Sequence, residues 1–195
     1  MNQAAIRQTE LVYTNQNLLD DEQIKKIAKE NRAHAFELVV HKYREKLFQH
    51  ALYLLKDAQE AIDATQETLI RAYQEPAFFE ADFKIRSWLF RVITNLSYNI
   101  TRDKRRRGGL LELLTRPAPR ESEQALDEML RKEEEGSLSR ALERVPEKYR
   151  SILLLKYYND LSYLEIADVL GCKLGTVMSR LSRAREKLQS ALVSE

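Results

Sequence analysis

Residues 161–188 read LSYLEIADVLGCKLGTVMSRLSRAREKL, and this stretch decides the fold. Ser162 followed three residues later by Glu165 is a capping box, in which hydroxyl and carboxylate each bond the other residue's backbone N–H. Ile166, Val169 and Leu170 give the helix it opens one apolar side. Gly171 supplies the left-handed residue that ends a helix at low cost. After a turn at residues 172–175, Val177, Leu181, Ala184, Leu188 and Leu192 recur every three or four residues, which marks a second helix with one buried stripe. Two helices joined in this way predict a helix-turn-helix, whose second helix enters the DNA major groove. The outer face of that helix suits the task. Thr176, Ser179, Ser182, Arg183 and Lys187, with Arg180 at one edge, offer hydroxyls and guanidinium groups to base edges and phosphates. Between Gly171 and Lys187 five basic residues against Glu186 give +4, where a merely solvated helix would need no such bias.

The rest of the chain reads as helix too. It has 195 residues, is 44% hydrophobic and 32% charged, and holds only five glycines and four prolines, which predicts an all-α protein. A helical pattern runs from Asp20 to about Lys56 through Ile24, Ile27, Ala35, Phe36, Val39, Val40, Tyr43, Leu47, Ala51, Leu54 and Leu55, with a break near Asn31. A second helix opens at Asp57, with Glu60 as its capping-box partner, and continues to about Gln74. Residues 75–85 (EPAFFEADFKI) interrupt the period. A third helix, from Arg86 to about Arg106, carries Leu89, Val92, Ile93, Leu96 and Ile100. The expected organisation is a polar extension at 1–19, a first helical bundle at 20–107, a flexible charged linker at 108–136 and a second bundle at 137–195. Charge is segregated along it: residues 102–107 carry +4 and residues 121–135 carry −5, although the net charge is only +2.

Composition also excludes functions. One cysteine, Cys172, permits no internal disulfide and fits a reducing compartment. No apolar run reaches the roughly 18 residues of a membrane span, and no secretory leader is apparent, so a cytoplasmic protein without membrane insertion is expected. His34, His41 and His50 show no zinc-hydrolase spacing, and no phosphate-cradling glycine loop or nucleophile–base pair is present; no metal, cofactor or enzymatic activity is expected.

The chain resembles the bacterial RNA polymerase sigma factors of the extracytoplasmic-function (ECF) class, which keep the second and fourth conserved regions of the sigma-70 family. The resemblance spans roughly residues 33–106 and 138–190. Its motifs are DATQETLIRAY at 63–73, SWLFRVITN at 87–95 and the run VPEKYRSILLLKYYNDLSYLEIADVLGCKLGTVMSRLSRAREKL at 145–188. It implies promoter-specific transcription initiation with core RNA polymerase (beta-prime clamp and beta subunit), promoter DNA and an anti-sigma factor, released under stress, as partners. On the helix of the first motif, Ile62, Leu69, Ala72 and Tyr73 are expected inside and Asp63, Glu67, Ile70, Arg71 and Gln74 outside. The resemblance assigns polymerase binding to Asp63, Gln66, Glu67, Ile70 and Arg71.

The next segment resembles the −10 reader, where an extruded base needs aromatic walls and polar edges. Phe78, Phe79, Phe83, Lys84 and Ile85 are the expected walls, with Trp88 and Leu89 as core. Asn95 and Asn99 stand one turn apart, and Arg102, Lys104, Arg105, Arg106 and Arg107 are expected on phosphates. The −35 contacts fall on Thr176, Met178, Ser179, Arg180, Ser182, Arg183 and Lys187. Two departures stand out. Phe79-Glu80-Ala81 replaces a common Phe-x-Gly, and Met178 occupies a position that is commonly basic. The alternative reading is a stand-alone helix-turn-helix regulator, which would dimerise and bind duplex operator without polymerase.

Overall fold

The computed structural model describes residues 19–112 and 140–193, with the backbone alone for 107–112. The extension and most of the expected linker lie outside the described residues. Among the described residues, the N-terminal unit is built from α1 (Asp21–Glu30), α2 (Arg32–Leu55), α3 (Ala58–Gln74) and α4 (Ile85–Glu112). A helical turn at 140–144 leads into the C-terminal unit of α5 (Glu147–Leu153), a π-turn (Leu154–Tyr158), α6 (Tyr163–Leu170) and α7 (Leu174–Val193).

Local chemistry explains most boundaries. Asp20 and Gln23 cap α1 reciprocally, and Asn31 then breaks the chain while its side chain accepts from His34 N–H. Asp57 caps α3 by accepting from Glu60 N–H at 3.0 Å. The Glu60 carboxylate does not close the expected box; it faces Lys104 of α4 at 2.6 Å instead. Pro146 precedes α5, where its missing N–H costs no helical bond. Helix α4 starts one residue earlier than expected and its backbone continues through Gly108 and Gly109 to Glu112, so the stop expected at the glycine pair does not occur.

The helix-turn-helix forms as its residues require. Ser162 and Glu165 make the reciprocal box, and Gly171 ends α6 at φ +58°. Helix α7 begins at Leu174, inside the expected turn, because Lys173 C=O already accepts from Thr176 and Val177 N–H. Val177, Leu181 and Ala184 are buried as the period predicts. Leu192 is not, since α7 outruns the body that would cover it.

The two units are not separate here. Their buried side chains form one continuous cluster, with α4 packed against α6 and α2 against α5. A polar seam crosses the junction. His50 of α2, fully buried, bonds Thr94 Oγ1 at 3.0 Å and faces Asn159 Nδ2 at 3.3 Å, its ring edge-on to Phe90. Asn159 follows the π-turn, whose wide ring it closes by donating from its backbone N–H to Leu154 C=O at 2.9 Å. The Asn159 carbonyl accepts from the Arg86 guanidinium, and Tyr98 bonds Ser151. Arg150 is buried, and its guanidinium is held by main-chain carbonyls. It donates to the carbonyls of Leu142, Glu143 and Val145 and, across the junction, of Tyr53, which satisfies a group that would otherwise be costly to bury.

Burial lowers the His50 pKa to about 3 from its ordinary 6.5. The folded protein therefore keeps the imidazole neutral while the unfolded chain takes up a proton near pH 6.5. Stability is undiminished above that pH and is lost as pH falls from about 6.5 toward 3. Denaturant melts at pH 7 and pH 5 should show this single group removing about 2 kcal/mol. His50→Gln should shrink the pH 5 deficit by that amount, and an unchanged deficit would exclude His50 as its source.

Candidate nucleic-acid interface

Three surfaces carry the residues singled out by the sequence. On α3, Asp63, Gln66, Ile70 and Arg71 are exposed and Glu67 is half-buried, with Arg71 Nε on Glu67 Oε1 at 2.7 Å. The buried side differs from expectation. Ala61, Ala64, Thr65, Thr68 and Ala72 face inward, while Ile62 is 40% and Tyr73 60% exposed. Small residues let α3 approach its neighbours closely, and the two threonine hydroxyls are satisfied on the helix's own carbonyls, Ala61 at 2.7 Å and Ala64 at 2.8 Å. The displaced Ile62 and Tyr73 join Ile70, within about 80° of one another at 100° per residue. The result is an exposed apolar stripe rimmed by charge.

The second surface is the 75–84 loop with α4. Phe78 and Ile85, expected to wall a base pocket, are 0% and 1% exposed and belong to the core. Phe78 is ringed by Phe36, Phe79, Phe83 and Trp88 at 5.1–6.2 Å between centroids, so it supports the loop from beneath. Leu89 is core as expected and Trp88 is half-buried. Phe79 and Phe83 are half-buried and Lys84 exposed. Two cations hold the loop in place: Lys25 Nζ donates to Ala81 C=O at 2.7 Å, and Arg32 donates to Glu75 C=O at 2.9 Å while lying over the Phe79 ring.

Along α4, Asn95, Asn99, Arg102 and Arg106 are exposed at spacings of four, three and four residues, one stripe of amides running into guanidinium groups. Lys104 departs from it. It lies about 180° round the helix from Asn95, and its ammonium is on Glu60 of α3. Arg105 bonds Glu147 at 2.7 Å. The side chain of Arg107 lies outside the described residues. Arg86 and Arg91, also on α4, were not singled out by the sequence, because their partners lie more than seventy residues away: Asn159 C=O and Asp168 C=O.

The third surface is the outer face of α7. Met178, Ser179, Arg180, Ser182, Arg183 and Lys187 are exposed and Thr176 is half-buried. Ser179 donates to Thr176 C=O at 3.1 Å and Ser182 to Glu186 at 3.4 Å. Met178, 52% exposed, puts an apolar patch among these polar groups. Cys172 is half-buried in the turn. Among the described residues, no cluster of histidine, cysteine or carboxylate side chains could hold a metal ion, and no helix is long and apolar enough to cross a membrane.

The profile of sigma-70 region 2 matches residues 39–107, and that of sigma-70 region 4 matches residues 135–188. The RNA polymerase sigma-H factor of Pseudomonas aeruginosa is 34% identical over 88% of this chain and 93% of its own length. The chain is an ECF sigma factor of the sigma-70 family. The ECF RNA polymerase sigma factor SigW of Bacillus subtilis is 32% identical to it, over 81% of this sigma factor and 89% of SigW. CnrH, solved with the cytosolic domain of CnrY, superposes with a TM-score of 0.66 over 90% of this chain and 98% of CnrH at 23% identity, a likeness of fold. The Bartonella quintana sigma factor RpoE, solved with the anti-sigma factor NepR, superposes with a TM-score of 0.63 over 80% of this chain and 96% of RpoE at 26% identity. As a member of this family, the sigma factor directs promoter-specific transcription initiation. The stand-alone regulator is not favoured, since such a protein would not need region 2.

Proposed function

We propose that this sigma factor docks on core RNA polymerase through α3, with Ile62, Ile70 and Tyr73 as the apolar stripe and Asp63, Gln66, Glu67 and Arg71 as its charged rim. It then captures the melted −10 strand with Phe79, Phe83, Lys84, Asn95 and Asn99, while Arg102, Arg105 and Arg106 meet phosphates. Helix α7 reads the −35 duplex with Thr176, Met178, Ser179, Arg180, Ser182, Arg183 and Lys187. The protein works in the cytoplasm by binding, not by catalysis. Complex formation by RpoE with NepR supports a proteinaceous anti-sigma partner here too. The observation that carries the reading is the Asn95–Asn99–Arg102–Arg106 stripe on a helix whose opposite edge borders the α3 face, which suits one helix serving strand and polymerase together.

Run-off transcription with core polymerase on genomic fragments, followed by start-site mapping, tests this, since a chain that recruits no polymerase would give no discrete starts. Within the same assay Arg183→Ala should weaken −35 recognition by about 1–3 kcal/mol and relax preference at one base position, as for a guanidinium forked onto guanine. A uniform loss across sequences with a shallower salt dependence would make Arg183 a phosphate contact instead.

A further inference from the structure

The outer face of α7 has an apolar corner. Met178, 52% exposed, stands about 100° round the helix from the fully buried Val177, so it takes no part in the stripe that holds α7 in place. Leu174, four residues earlier on the same side, is 40% exposed. Single exposed apolar side chains are ordinary, but here two of them adjoin a glycine. Gly175 is exposed, its φ lies outside the left-handed region, and a Cβ placed on it would meet no atom within 4 Å. Neither backbone conformation nor packing within the chain calls for glycine there. The use that remains is close approach by something outside the chain. Helical side chains lean toward the helix N-terminus, so Met178 lies over the turn that holds Leu174 and Gly175. Ser179, one turn on from Gly175, has its hydroxyl turned onto its own helix, on Thr176 C=O at 3.1 Å.

We propose that this corner selects a thymine in the −35 element by its C5-methyl group. Met178 covers the methyl, and the bare backbone at Gly175 lets the groove edge come close. The C5-methyl is the one methyl group that the bases present in the major groove; the other three bases offer hydrogen-bond donors and acceptors there. A thioether donates nothing and accepts weakly, so it gains little from those bases, while its flexible, polarisable chain adapts to a methyl. The basic residue common at this position would instead take a guanine or a phosphate. Methionine exchanges that electrostatic contact for an apolar one, which salt does not screen. The inference rests on the −35 reading of α7 given above.

Replacing thymine by uracil removes that methyl and leaves base pairing intact. Holoenzyme made from core polymerase and the full chain is measured for binding to a promoter it selects, with dU set in turn at every thymine of the −35 element on both strands. At one position dU should weaken binding about three- to fivefold, the scale of burying one methyl group. Met178→Ala changes an exposed side chain and leaves the fold intact. It should bind the dT promoter more weakly and lose the difference between dT and dU at that position. Gly175→Ala should melt no lower than wild type, since alanine suits a helix better. It should nevertheless bind the dT promoter roughly tenfold more weakly, as when an extra carbon is forced into a filled contact. A dU penalty that survives in Met178→Ala overturns the proposal, as does the lack of a dU penalty at any position or a Gly175→Ala chain that binds like wild type. A scrambled −35 element separates the two readings. If wild-type holoenzyme binds it as well as the intact one, α7 is not the −35 reader and this inference falls with that assignment. If wild-type holoenzyme discriminates against it but ignores dU, only this inference falls.

Discussion

Glu67→Lys combined with Arg71→Glu should abolish co-purification with core polymerase while leaving the melting transition within about 2 °C of wild type. The structure makes this double change nearly silent for folding. The two side chains form an i, i+4 pair on the solvent side of α3, and the swap recreates a pair of opposite charges in reverse order, worth only a few tenths of a kcal/mol either way. For a docked partner the pattern is inverted at two adjacent points around Ile70. Like charges placed together across an interface cost several kcal/mol, enough to remove a complex of ordinary affinity. Pull-down with core polymerase and a thermal melt on the same preparation decide it. Unchanged co-purification would take the docking role from α3.

Phe78→Ala should cost about 3–5 kcal/mol of stability, the range for emptying a large aromatic site in a core. Phe78 is fully buried and every aromatic side chain of the 75–84 loop touches it. Against a total stability of about 5–15 kcal/mol, that leaves a protein with a depleted native population, and loss of promoter opening would follow from unfolding. The check is urea denaturation of the full chain. A loss under about 1 kcal/mol would mean that the loop collapses into the space or that Phe78 is not the keystone its four ring contacts indicate.

What local chemistry specifies was legible. Ser162 with Glu165, Gly171 and the Asn31 break all act within four residues of chain, so their spacing alone discloses them. The inward face of α3 was not, because hydrophobicity points to Ile62 and Tyr73 whereas close helix packing selects Ala61, Ala64, Thr65 and Thr68. Threonine at a packed face reads as polar until its hydroxyl is seen bonding its own helix. Aromatic residues in a loop read as exposed ligands, yet Phe78 lies inside because Lys25 and Arg32 pin the loop carbonyls above it. The continuation of α4 past Gly108 is a case where length of helix outweighs two unfavourable residues. The contacts between the two units escape any local pattern, since His50 and Asn159 are separated by 109 positions and no spacing along the chain pairs them.

That seam has a consequence for exchanging parts between relatives. A hybrid with a relative's region 2 or region 4 would treat the two regions as separable cassettes. In this chain the cassette boundary runs through a buried imidazole whose two neighbours, Thr94 and Asn159, come from opposite cassettes. A hybrid that keeps His50 but receives an apolar side chain at position 159 would strand one ring nitrogen in the interior without a partner, a defect of about 1–3 kcal/mol. Grafts should therefore carry His50 and Asn159 together, as a matched couple, whatever DNA-contacting residues are transplanted with them.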